Sequence, residues 1–279
     1  MSGTPVGRIT GAALLGGIVG NPVSHSLSPV IHNAWLEAGG VDGAYVAFAP
    51  KDAAGFEALV AAGRAGLIAG VNVTAPFKEQ AFALADEAAA AAQMTGSANI
   101  LVFEDGRVRA DSADGAGVLY ALAEQAPKLK LDGASVVMLG AGGAARAGAG
   151  ALIEAGAALS ILNRTRERAE ALAADLGPAV SVAPDAGVLE GADLVINALS
   201  VAPDISLAAL KPSAVVMDMT YKPVVTPLLA AARARGLTTV DGLAMLIGQA
   251  APSFEAIFRR PPPPLDLRAL LLSHLGETA

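Results

Sequence analysis

A chain of 279 residues with 53 % hydrophobic residues and 31 glycines is long enough for two ordinary cores and too apolar to remain unfolded. Its formal net charge of −7, without any run of Lys or Arg, leaves no electrostatic footprint for nucleic acid. The absence of cysteine excludes disulfides and thiolate chemistry, and with histidines only at 25, 32 and 274 no metal site is expected.

No uncharged apolar run reaches the ~20 residues of a membrane span, and the first residues lack the basic start and apolar core of a secretory signal. A cytoplasmic protein is therefore expected. In chain order, short apolar runs at Leu14–Val19, Tyr45–Ala49, Leu67–Val73 and Asn99–Phe103 predict strands. Between them, Pro29–Ala38, Asp52–Ala62 and Phe77–Ala92 predict helices, the first opened by a capping hydroxyl at Ser28 followed by Pro29. Ala116–Gln125 is expected as a helix joining two units. A second strand series is predicted at Ser135–Leu139, Leu159–Leu162, Val180–Val182, Leu194–Asn197, Val215–Met217 and Thr238–Val240, with helices at Arg166–Leu176 and Pro227–Arg235. Leu243–Phe258 and Leu265–Leu275 read as terminal helices flanking the Pro261–Pro264 elbow. Strands alternating with helices imply α/β architecture and mostly parallel sheets.

The run Ser135-Val-Val-Met-Leu139 leads directly into Gly140-Ala141-Gly142-Gly143-Ala144-Ala145, a G-x-G-x-x-A dinucleotide fingerprint between a strand and a helix. Glycines there let the backbone approach a pyrophosphate, and the helix start offers free N–H groups to it. The next strand ends in Asn163-Arg164-Thr165-Arg166-Glu167-Arg168. It lacks the acid that would bind a ribose 2′-hydroxyl, and Arg164 and Arg168 suit a 2′-phosphate instead, which favours NADP(H) over NAD. After the first strand, Ser26 and Ser28 place two hydroxyls at a strand-to-helix turn, where a carboxylate can be held. Thr74 and Lys78 follow the third strand, at the carboxyl end where open α/β sheets bind ligands.

Taken in order, six segments resemble the shikimate dehydrogenase family over nearly the whole chain. They are Gly20-Asn-Pro-Val-Ser-His25-Ser26-Leu-Ser28-Pro29-Val-Ile-His32-Asn33, Gly70-Val-Asn72-Val73-Thr74-Ala-Pro76-Phe-Lys78, the Gly140 loop, Asn163-Arg164-Thr165, Asp218-Met219-Thr-Tyr221-Lys-Pro223, and Asp241-Gly242-Leu-Ala-Met245 through Gln249. The resemblance implies a reversible NADPH-dependent reduction of 3-dehydroshikimate to shikimate, a step toward aromatic amino acids, by an oxidoreductase acting on a CH–OH group. It implies that Ser26 and Ser28 hold the substrate carboxylate. It assigns the hydroxyls and reacting carbonyl to Thr74, Lys78, Asn99, Asp114, Tyr221 and Gln249, with Lys78 and Asp114 as the catalytic pair. Gly140, Ala141, Gly142, Gly143, Ala144, Asn163, Arg164, Thr165 and Arg168 would bind NADP(H), with Met219, Gly242 and Met245 near the nicotinamide.

The expected architecture is a substrate-binding domain of residues 1–115 and 243–279, a Rossmann domain of residues 116–242, and a cleft between them. The partner is a small polyhydroxy carboxylic acid, not a nucleic acid or a membrane, and the protein is expected as a monomer or homodimer. Three segments depart from the family. Ser112-Ala113-Asp114 stands where the family reads N-T-D, Ile100 follows Asn99 in place of threonine, and Asn197-Ala-Leu-Ser200 lacks the usual threonine and glycine. These departures leave open a quinate/shikimate paralogue with a different substrate or NAD use, and a non-catalytic module binding NADP or a metabolite.

Overall fold

The computed structural model describes residues 9–199 and 201–277; Ser200, the last of the departures above, lies outside them. In chain order the elements are β1 (Leu14–Val19), α1 (Ser28–Ala38), β2 (Gly43–Phe48), α2 (Ala53–Arg64), β3 (Gly70–Val73), α3 (Lys78–Ala83), β4 (Glu87–Ala88), α4 (Ala90–Thr95), β5 (Ile100–Glu104) and β6 (Arg107–Asp111). There follow α5 (Asp114–Gln125), β7 (Ser135–Leu139), α6 (Gly143–Glu154), β8 (Ala158–Leu162), α7 (Arg166–Leu176), β9 (Val180–Val182), β10 (Leu194–Asn197), β11 (Val215–Asp218), α8 (Pro227–Ala234), β12 (Thr238–Val240), α9 (Gly242–Phe258) and α10 (Leu267–Leu275). A 3₁₀ turn, Ala186–Gly191, precedes β10. Residues up to Ala113 together with those from Ala250 onward form one compact unit, and Asp114–Gln249 form the other. The first switch point thus lies two residues before the expected Ala116. The second lies inside α9 rather than at its start, because the last turns of that helix pack on the first sheet.

The first unit holds a sheet in the order β2-β1-β3-β5-β6-β4. Strands β2, β1 and β3 run parallel, and β5 lies antiparallel to both β3 and β6. One face is closed by Phe56 and Val60 of α2 against Val71, Val73, Leu101 and Phe103. Against the other, the end of α9 comes close because β1 and β3 carry glycine there. A β-carbon at Gly16 would sit 2.9 Å from Phe258, and one at Gly70 would sit 3.0 Å from Ile257. Beside this contact, His32 stacks on Tyr45 at 4.1 Å, and Phe254 meets Trp35 at 5.3 Å. On the outer edge of the sheet, the Asn33 side chain donates to the Tyr45 carbonyl (2.8 Å) and accepts from the Tyr45 N–H (2.9 Å).

Three expectations are corrected in this unit. Phe77–Ala92 is not one helix, because its middle joins the sheet: Asp86 N–H donates to Val108 O, and Ala89 N–H to Ala110 O. Asp86 also takes an Arg64 guanidinium and the Val108 N–H, so sheet pairing overrides the helix propensity of the alanines. Strand β6 was not expected, although Arg107-Val-Arg-Ala-Asp111 alternates with Val108 and Ala110 inward. Ser28 is not the cap of α1 but its first residue; its N–H donates to the Ser26 hydroxyl at 3.2 Å, and Leu27 occupies the cap position.

His32 is 1 % exposed, its Nδ1 has no hydrogen-bond partner among the described residues, and burial lowers its pKa to about 3. The unfolded chain protonates this ring below its ordinary 6.5 while the fold resists protonation until about 3, so stability is full above 6.5 and falls with pH in that window. The slope is about 1.4 kcal/mol per pH unit for one proton. Urea midpoints taken from pH 7 to 4.5 should therefore decline more steeply in the parent than in His32→Phe; parallel declines would refute this.

The second unit is a doubly wound sheet in the order β12-β11-β10-β7-β8-β9, parallel throughout. Its strands alternate cleanly. Val136 and Met138 face a core shared with α5, α6 and α7, while Val137 and Leu139 face one shared with the 3₁₀ turn and α8. The winding order of the strands reverses between β7 and β10, whose ends pair at Leu139 and Asn197. Ligands in such sheets bind beyond the carboxyl ends at this reversal.

Candidate active site

In the first unit, the reversal lies between β1 and β3, paired to their ends at Val19 and Val73. The loop after β1 carries Ser26 and Ser28; the loop after β3 carries Thr74 and Lys78. The two loops are tied at their roots: Thr74 N–H donates to Val19 O (2.9 Å), and Asn21 N–H to Ala75 O (3.0 Å). Gly20 is required at this crossing, since any side chain there would collide with Thr74. Asn99 reaches the same end from β5, because that strand is antiparallel; its carbonyl takes the Val73 N–H at 2.8 Å. Its side-chain oxygen accepts the Ala113 N–H at 2.8 Å, which fixes the backbone one residue before Asp114. Ser28 and Asn99 are buried, and Ser26, Thr74 and Lys78 are half-buried. The structure thus gathers two loop hydroxyls, a threonine, an ammonium and a carboxamide at one end of one sheet. Among the described residues no cluster of His, Asp or Glu could hold a metal.

Sequence reasoning missed the groups supporting this end. The Tyr45 hydroxyl donates to Asn72 Oδ1 at 2.7 Å, and Asn72 Nδ2 donates to Ser253 Oγ (2.8 Å) and Asn99 O (3.1 Å). Burial raises the Tyr45 pKa, against a hydrogen bond with Ser28, so the phenol stays protonated. Asn72 was visible inside the Gly70–Lys78 segment, but nothing local marked it as the hub between Tyr45 and Ser253.

In the second unit, Gly140 follows β7 with φ +108°, a conformation glycine adopts without strain, and its N–H donates to Leu162 O. Gly142 caps α6, with open space where a β-carbon would be, and α6 starts without a side-chain cap. Backbone N–H groups at such a start suit a phosphate. Asn163, Arg164, Thr165 and Arg168 follow the neighbouring strand β8. Asn163 Nδ2 donates to Thr165 O at 2.7 Å, and Arg166 pairs with Glu170. Arg164 and Arg168 are exposed and make no ion pair among the described residues.

Beyond β11, Asp218 accepts from Asn197 Nδ2 (3.1 Å), Thr220 N–H (3.0 Å) and Thr226 Oγ (2.7 Å). This buried carboxylate, which sequence reasoning did not single out, holds the Met219–Tyr221 turn. Met219 reaches α6, 3.0 Å from where a β-carbon on Gly148 would lie, and Gly142's counterpart at the start of α9, Gly242, packs on the Met219 backbone. Asp241 accepts the Ala244 N–H and so caps α9, which sets Met245 and Gln249 against Gly117 of α5. Asp114 is the first residue of α5 and is 4 % exposed.

Two family models match the chain: the shikimate dehydrogenase substrate binding domain over residues 18–101, and shikimate / quinate 5-dehydrogenase over residues 121–228. A shikimate dehydrogenase (NADP(+)) of Caulobacter vibrioides is 50 % identical over 96 % of this chain and 98 % of its own length. The corresponding protein of Maricaulis maris is 43 % identical, with the same coverage of each chain. Among solved structures, the shikimate 5-dehydrogenase of Thermus thermophilus in complex with NADP(H) and shikimate superposes with a TM-score of 0.81 at 35 % identity, covering 90 % of this chain and 95 % of that one. The quinate dehydrogenase of Corynebacterium glutamicum in complex with NAD superposes at 0.85 and 30 % identity, covering 94 % and 99 %. With half its residues shared along nearly its full length, this chain belongs to the shikimate dehydrogenase family.

Proposed function

We propose that this protein is an NADP-dependent shikimate dehydrogenase, interconverting 3-dehydroshikimate and shikimate. The observation carrying this reading is the group of hydroxyls, carboxamide and ammonium at the β1/β3 end of the first sheet. Ser26 and Ser28 bind the substrate carboxylate, and Thr74, Asn99, Asp114, Tyr221 and Gln249 hold its hydroxyls and reacting carbonyl. The first unit is the substrate-binding domain and the second the NADP-binding domain. Gly140, Ala141, Gly142, Gly143 and Ala144 hold the pyrophosphate. Asn163, Arg164, Thr165 and Arg168 hold the ribose phosphate, and Met219, Gly242 and Met245 flank the nicotinamide. The open Gly142 cradle, the α6 start without a side-chain cap, and Arg164 and Arg168, which make no ion pair among the described residues, fit such a ligand.

When bound, the nicotinamide supplies or accepts the hydride. Hydride addition to a ketone leaves negative charge on its oxygen, and the Lys78 ammonium stabilises that charge and gives it a proton. In the reverse direction Lys78 receives the proton from the alcohol. Asp114 orients the ammonium and binds the same hydroxyl. We place the enzyme in the cytoplasm, as a monomer or homodimer; no described helix is long and apolar enough to cross a membrane.

The likeness to a quinate dehydrogenase bound to NAD gives the second reading. The protein mixed with shikimate and NADP⁺ should raise nicotinamide absorbance about 10²-fold faster than with quinate and NAD⁺, a gap within reach of binding differences. A reversed ratio would establish the quinate reading, and cofactor binding without turnover on either acid would leave only a binding module.

A further inference from the structure

A cavity of about 650 Å³ opens in the second unit at the amino-terminal end of its sheet. Asp193 precedes β10, Val215 opens β11 and Thr238 opens β12, and all three line it. Because these strands are parallel, the cavity lies at the opposite end of the sheet from the Gly140 loop and outside the proposed cofactor site. Its volume falls in the range of small-molecule sites.

The lining separates into an apolar floor and a cationic rim. Val215 is 4 % exposed, and Leu129 and Ala126 add further apolar surface. Lys128 and Lys130 stand two residues apart in the segment between α5 and β7, both exposed, and neither makes an ion pair among the described residues. The one acid in the wall, Asp193, is already satisfied: Lys211 Nζ lies 2.5 Å from Oδ1, and the Ser135 N–H donates to Oδ2 at 2.9 Å. Gln125 is likewise committed, donating to Asp241 Oδ2 and accepting the Asp241 N–H. The polar groups left for a ligand are therefore two ammoniums and the hydroxyls of Ser213 and Thr238, which make no side-chain hydrogen bond among the described residues. In a chain of net charge −7, two uncompensated cations beside an apolar floor select for charge as well as shape.

We propose that this cavity binds a small organic anion with an apolar body, the anionic group on Lys128 and Lys130 and the body on Val215 and Leu129. The test uses 1-anilinonaphthalene-8-sulfonate as the probe and protein saturated with NADP⁺, so that the Gly140 loop is occupied. Fluorescence should report one saturable site. Lys128→Ala combined with Lys130→Ala should weaken it roughly tenfold, as expected for two partly screened charge contacts. Ser213→Trp, a rim substitution at an exposed position, should abolish it while NADP⁺ binding and the melting temperature stay unchanged. The uncharged parent N-phenyl-1-naphthylamine should bind at least about tenfold more weakly. The proposal is overturned if no saturable site appears, if either variant binds the probe as the parent does, or if the uncharged analogue binds equally well.

Discussion

Lys78→Ala should lower kcat for shikimate oxidation by about 10³-fold, the middle of the range for a positioned general acid–base, while the NADPH dissociation constant stays within about twofold. Lys78 begins α3 directly beyond β3, and its carbonyl takes the Ala98 N–H at 2.9 Å, which ties the helix start to the strand carrying Asn99. The backbone that presents the ammonium is thus held by main-chain bonds that alanine preserves, and the loss falls on chemistry rather than folding. The split between kcat and cofactor affinity separates this from general damage, which would lower both. Turnover close to the parent's in that variant would remove Lys78 from the reaction.

Arg164→Ala with Arg168→Ala should raise the KM for NADP⁺ by about 10²-fold, a decade for each charge-assisted hydrogen-bonding group removed, and leave the KM for NAD⁺ within about threefold. Both guanidiniums lie after β8, next to the strand that leads into Gly140, and no described carboxylate neutralises them. Arg166, between them, is already paired with Glu170 and should contribute far less. Steady-state kinetics with both cofactors measures this directly. Equal losses for NADP⁺ and NAD⁺ would show that the arginines act on something common to the two, and would end their assignment to the 2′-phosphate.

The elements legible in sequence were those whose signals are local. β7, β9, β10, β12 and α7 fall on the expected residues because their strand or helix patterns are bounded by glycine, proline or polar residues on either side. The Gly140 loop was legible for the same reason. Segments fixed by distant partners were not. Phe77–Ala92 reads as an alanine-rich helix until Val108 and Ala110 take its middle into the sheet. Ser28 looked like a cap until the backbone placed it inside the helix, with Ser26 behind it. In the candidate site, the proposed residues stand in recognisable segments at strand ends, whereas the supporting roles of Tyr45, Asn197 and Asp218 were not legible, although the last two lie within such segments. Their work is to hold other polar groups, and hydrogen bonds such as Tyr45 to Asn72, 27 residues apart, leave no trace in spacing.

Strand β2 is six residues without a charge and sits at the border of its sheet. A bare border of that kind is a template on which another chain can add a strand. Asn33 occupies the template at its middle: one carboxamide, offering one donor and one acceptor, satisfies both outward backbone groups of Tyr45 much as a neighbouring peptide would. The middle of this edge is thereby occupied by a side chain from the chain's own first helix, which interrupts the template without a lysine or proline that would disturb the ring stacked on His32.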